Sequence, residues 1–170
     1  MRKYQLGFLT LALLAVVTLV LVRSGQATKN SFHAGGKDDG HILLSPDQMK
    51  WGPAPPSLPA GAQLAVLEGD PSKAGAPFTI RAKFPDGYKI PPHWHPTDEK
   101  VTVLQGTFGA GMGEKFDPAA GHEMPTGSFA LMPKGVRHYA WAIGETVVQV
   151  SGTGPFEVNY VNPADDPRKK

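Results

Sequence analysis

The chain has 170 residues, six histidines, no cysteine and a formal net charge of +2. Three of its basic residues, Arg2, Lys3 and Arg23, flank one apolar run, and residues 28–170 carry 14 basic against 15 acidic side chains. That balance implies neither nucleic acid nor an acidic polymer as a partner, and the missing cysteine excludes disulfide stapling, so the chain must fold on its own core or on a bound ion.

In chain order, the first element is a charged start (Arg2, Lys3), an apolar run from Leu6 to Val22, and small residues at Gly25 and Ala27. This is the pattern of a secretory signal over residues 1–27, cleaved after Ala27. The apolar run falls short of the ~20 residues that usually span a bilayer, so an uncleaved anchor is the alternative. Either way the protein is expected to be exported, periplasmic or secreted, and to meet a membrane only through this segment.

Residues 28–60 read as a linker, polar and glycine-rich to Gly40 and proline-rich after it. His33 and His41 lie there without ligand spacing around them and read as solvated. In "SPDQMKW", Ser45 can cap and Pro46 can take the first helical position, which predicts one helical turn. Pro53, Pro55, Pro56 and Pro59 oppose regular structure, and Trp51 is expected to dock on the following domain.

From Gly61 to about residue 165 the chain consists of short apolar or alternating runs: "QLAVLEG", "PFTIRAKF", "KVTVLQG", "SFALMP", "ETVVQVSG" and "FEVNYV". Turn residues such as Gly69-Asp70-Pro71 and Pro85-Asp86-Gly87 separate them, which predicts an all-β sandwich or small barrel. In "TFGAGMGEKFD" the alternating glycines leave one face bare, suited to a tight strand or to close approach by another group.

The segment "GYKIPPHWHPTDEKVTVLQG" carries the chemistry. Side chains two apart on an extended strand share a face, so His93 and His95 project together. Glu99 keeps the same parity beyond the bend at Pro96, whereas Asp98 points the other way. In "GSFALMPKGVRH", His138 begins another strand after the Pro133-Lys134-Gly135 turn, and it completes a three-histidine, one-carboxylate set if the two strands are neighbours. Such ligands suit iron, manganese, nickel, copper or zinc better than calcium or magnesium.

These segments resemble the cupin superfamily. Gly87, His93, His95, Glu99 and Gly106 fall on its first motif, and Gly127, Pro133, Gly135 and His138 fall on its second, every spacing met. Ala142 departs from the asparagine often found there. The resemblance, over roughly Gly61 to Tyr160, implies a single jelly-roll β-barrel of about six to eight strands with one divalent transition metal ion held by His93, His95, Glu99 and His138. "HWHPTDE" and "FALMPKGVRH" are also similar to the cupin domains of zinc-binding anti-sigma factors.

By parity Phe108, Met112, Phe129, Leu131 and Trp141 are expected to line the cavity and to favour an apolar or aromatic ligand. Arg137 and Tyr139 are expected at the surface, and His122 in a loop, where its alternative role is a general base. Two function classes follow: a metal-dependent enzyme acting on a small organic molecule, or a non-catalytic metal- or ligand-sensing module. A storage or scaffold role fits less well, because seed cupins have two barrels. Exposed strand edges also suggest a homodimer.

Overall fold

A computed structural model describes residues 40–170; the expected signal segment, the expected spacer up to residue 39 and His33 lie outside the described residues. Among the described residues there are nine strands: β1 (Gly52–Pro53), β2 (Gln63–Gly69), β3 (Pro77–Phe84), β4 (Lys89–Trp94), β5 (Glu99–Met112), β6 (His122–Pro125), β7 (Phe129–Met132), β8 (His138–Thr153) and β9 (Asn159–Tyr160). All pair antiparallel. They form one curled sheet ordered β1-β2-β3-β8-β4-β9, with β5 joining β8 to β6 and β7. This is the single jelly-roll barrel that the two motifs imply.

The two long strands are the spine of the barrel. β8 runs beside β5 along its length, beside β3 with its second half and beside β4 with its first residues. The core follows from the two-residue period. Phe78, Ile80, Ala82 and Phe84 of β3 are buried on one face, together with Val101 and Val103 of β5 and Val148 and Val150 of β8. Between Val103 and Thr107 the β5–β8 register shifts twice. Gly106 sits there with φ +72°, and a Cβ on it would lie 2.5 Å from the Glu145 carbonyl oxygen, so the bulge admits only glycine without a rearrangement.

The stretch before Gly61 belongs to the packing of the domain. Pro46–Gln48 forms the expected single turn, of 3-10 type, and Gln48 Oε1 accepts from the Ser45 N–H at 2.9 Å. Trp51 docks as expected, with the Lys83 ammonium 4.7 Å above its ring. Gly52 and Pro53 pair with β2 despite the neighbouring prolines, an edge position where no donor from proline is needed. In "FEVNYV" only Asn159–Tyr160 becomes a strand, because just those residues meet β4.

Candidate metal centre

The three histidines arrive from two neighbouring strands. His93 is paired directly with His138 across β4 and β8, which meets the condition the sequence left open. Pro91 and Pro92 cannot extend the ladder, and the register slips between Ile90 and His93, turning the end of β4 inward. His95 follows just beyond the strand. All three side chains are about 3 % exposed, and one ring nitrogen from each lies within 4.8 Å of the other two.

The backbone sets the orientation of each ring. His93 Nδ1 is 2.8 Å from the Pro91 carbonyl oxygen, His95 Nδ1 is 2.6 Å from that of Glu157, and His138 Nδ1 is 3.0 Å from that of Val136. A carbonyl only accepts, so each Nδ1 is the protonated nitrogen and donates. In the neutral tautomer that this selects, Nε2 carries the lone pair and is the nitrogen left to face the cluster. Metal-ligating histidines are ordinarily held in this way. Phe156 stacks on His95 at 4.4 Å and fixes that ring further.

Glu99, the first residue of β5, completes the group. Its Oε2 is 3.5 Å from His95 Nε2 and 3.4 Å from His138 Nε2. His95 Nε2 is buried and has no hydrogen-bond partner. Three converging lone pairs, that of the unpartnered His95 Nε2 among them, and one carboxylate form a donor set that a cation satisfies, so the residues fit a transition metal ion. Asp98 points elsewhere, and its Oδ1 accepts from the Lys134 N–H at 2.8 Å, tying β5 to the turn that leads to His138.

Burial pushes the His93 imidazole down to about 3, assisted by its neighbours His138 and His95. Burial alone would raise the Glu99 carboxyl; Nε2–H donors from His138 and His95, present when a second proton on each ring takes the place of a cation, more than offset it and hold the group below the ordinary carboxylate range. Both shifts carry the same sign for stability. Protons enter the unfolded chain first as pH falls below about 6.5 at His93 and below about 4.5 at Glu99, so the folded state loses stability in that direction. The metal-free protein is thus expected to melt at steadily lower temperature from pH 7 to pH 4.5. In a His93→Gln variant the slope between pH 6.5 and 4.5 should flatten, a comparison that differential scanning calorimetry in a chelating buffer would make.

His93, His95 and Glu99 face a cavity of about 110 Å³. Its remaining wall is almost wholly apolar and includes Leu64, Ile80, Ala82, Phe84, Ile90, Val101, Phe108, Val148 and Val150 from the sheet. Pro55, Ser57 and Leu58 come from the proline-rich stretch, and Phe156 and Val158 from the segment before β9. These last contributors have no strand periodicity, so nothing in the sequence marks them. A hint was available for two of the orienting carbonyls, since Pro91 and Val136 each stand two residues before the histidine they hold.

Of the expected wall residues only Phe108 lines the cavity. Met112 is 57 % exposed, Phe129 62 % and Leu131 47 %. On β7 the opposite parity faces inward, with Ala130 paired to Val101 and the buried Met132 paired to Glu99. On β8, His138, Ala140 and Ala142 share the inner face, so Trp141 lies outside the cavity. Tyr139 is not a surface residue: it is 1 % exposed, packs 5.2 Å from Phe116, and donates to the Asp117 carbonyl oxygen at 2.6 Å. Arg137 is exposed, as expected, and paired with Glu114. His122 sits on the edge strand β6 opposite Ala110, not in a loop, and is exposed.

A jelly-roll barrel whose two motifs bring three buried histidines and a glutamate together beside an apolar cavity defines a cupin. Residues 39–157 match the ChrR cupin-like domain, and the chain belongs to that family. Among solved structures, it is similar to a Methylibium petroleiphilum protein assigned as an acetylacetone dioxygenase (19 % identity, 75 % of this chain and 85 % of that one, TM-score 0.58). It is also similar to the polyketide cyclase RemF from Streptomyces resistomycificus (18 % identity, 75 % and 89 %, TM-score 0.55). KdgF from Halomonas sp. matches with 18 % identity over 66 % of this chain and 93 % of that one, at TM-score 0.51. At these identities the likeness is one of fold. No curated protein matches the chain in sequence.

Proposed function

We propose that the protein is a metal-dependent cupin enzyme in which His93, His95, Glu99 and His138 hold one divalent transition metal ion and a small organic molecule enters the adjoining cavity. The observation that carries this reading is the set of three Nδ1–H groups tied to backbone carbonyls, which aims three Nε2 lone pairs at one point beside a carboxylate. Such an ion, whether iron, manganese, nickel, copper or zinc, supplies Lewis-acid or redox chemistry. Glu99 contributes the one negative charge of the ligand set. The apolar wall excludes bulk water and so strengthens electrostatic interactions at the polar end.

A second reading, a non-catalytic sensing module, draws support from the family itself, whose domain is similar to that of anti-sigma factors. Metal content by mass spectrometry and turnover tell the two apart. One ion per chain with metal-dependent turnover supports the enzyme; tightly held zinc without turnover supports the sensor. In either case Glu99→Ala should lose metal and Asp98→Ala should retain it, the latter costing about 1 kcal/mol of stability through the lost bond to Lys134. Metal retained by Glu99→Ala would remove the glutamate from the centre.

The N-terminal pattern supports export, with residues 1–27 removed. Sequencing of the protein from a periplasmic or secreted fraction should begin at Thr28; an intact Met1 there would indicate the anchor. The exposed apolar side chains Phe129 and Leu131 on β7 support a homodimer, which sedimentation would register as twice the monomer mass.

A further inference from the structure

Resting on the metal-centre reading, we infer that the cavity selects a small molecule with a single oxygen-donor head and an uncharged, apolar body. The cavity is divided by polarity. Its ionisable side chains, His93, His95 and Glu99, form one cluster, and no lysine or arginine lines it among the described residues. The two tyrosine hydroxyls nearby are already committed. Tyr88 donates to the Pro59 carbonyl oxygen at 2.5 Å, and Tyr160 donates to that of Ser57 at 2.8 Å. Neither hydroxyl proton is left to donate to a ligand, and neither residue lines the cavity.

Glu99 offsets only one of the two charges of a divalent ion, so an anionic or strongly polar oxygen is matched at that end. Away from it, a second carboxylate would be buried without a cation, and a sugar-like body would bring several hydroxyls to a wall whose one hydroxyl side chain is Ser57, so most of them would give up water without a partner. An alkyl or aryl body loses nothing on entering. The volume of about 110 Å³ holds a molecule of small size. Sugar acids, dicarboxylates and phosphates are thereby disfavoured, and short fatty, aromatic or enolic oxygen ligands are favoured.

Three probes of equal chain length test this by calorimetry on the cobalt-loaded protein: hexanoate, adipate and gluconate. Hexanoate is expected to bind, and adipate and gluconate at least about tenfold more weakly, the factor expected from one unsatisfied buried polar group. Equal affinities for all three would overturn the proposal. Ala82→Leu, which places extra methyl groups in the cavity wall on β3, a strand that carries none of the four ligands, should weaken hexanoate at least about tenfold and leave cobalt uptake unchanged. Undiminished hexanoate binding by that variant would mean the probe meets the metal from outside and would also overturn it. Failure to take up cobalt at all would instead overturn the metal-centre reading.

Discussion

Replacing His138 by alanine is expected to abolish stoichiometric metal binding. The imidazole is about 3 % exposed, stands directly opposite His93 across two strands, and approaches Glu99 at 3.4 Å. Even the partners that merely orient a ligand are commonly worth 10- to 100-fold in metal affinity, so loss of a ligand should cost at least about 100-fold. Metal content after dialysis should fall from one ion per chain to below about a tenth. Stability supplies an independent readout. An ion present at about a thousand times its dissociation constant stabilises the fold by about 4 kcal/mol, and a chelator removes that increment. The wild-type protein should therefore melt well below its metal-loaded temperature in the presence of chelator, whereas His138→Ala should melt at one temperature with or without metal. His122→Ala, on the outer strand β6, should behave as wild type. Full metal content in His138→Ala would place the centre elsewhere.

The largest effect on folding is expected from Gly109→Ala. Gly109 of β5 is paired with Trp141 of β8, and the indole lies over the bare backbone. A Cβ at position 109 would sit 1.9 Å from Trp141 Cε2 and 2.3 Å from two further indole carbons. The ring cannot withdraw freely, because Phe116, Tyr139 and Gly121 surround it. Overpacking of this kind costs about 2–3 kcal/mol, or a fall in melting temperature of roughly 10 °C for a domain of this size. The double variant Gly109→Ala/Trp141→Ala should lose less than the sum of the two single changes, since removing the indole removes the collision. Gly52→Ala, at a glycine with open space around its Cβ position, is the matched control. Equal melting temperatures for Gly109→Ala and wild type would show that the indole has an alternative place to pack.

The same pair shows how a sequence signal can be read correctly without revealing its partner. The bare face of "TFGAGMGEKFD" indicates close approach by something, but the approaching groups, Trp141 on Gly109 and Tyr139 on Gly111, lie some thirty positions downstream. Only the antiparallel register of β5 and β8 selects them.

The candidate ligand set was the most legible part of the molecule. His93, His95 and Glu99 lie within seven consecutive residues, where two-residue periodicity fixes a common face, and the spacing of the second motif singles out His138. Whether the two strands are neighbours was left open, because strand order is a property of the sheet. The cavity wall was the least legible part. Alternation tells which residues share a face but not which face is inner, and an error of one residue moves a whole strand's side chains to the other side. That is what happened on β7, where Phe129 and Leu131 face out while Ala130 and Met132 face in.

By itself, then, the sequence determined the barrel class, the two motifs, the ligand types and the single turn at Pro46, all of which depend on local spacing and on residue chemistry. The tertiary structure decided the rest. It brought the Glu157 carbonyl to His95, Phe156 against that ring, and Pro55 to Leu58 against the cavity, contacts between segments far apart in the chain and without period. It also left the wall of that cavity apolar beyond the cluster of His93, His95 and Glu99, a division of polarity that arises only when β2, β3, β4, β5 and β8 curl around a common interior.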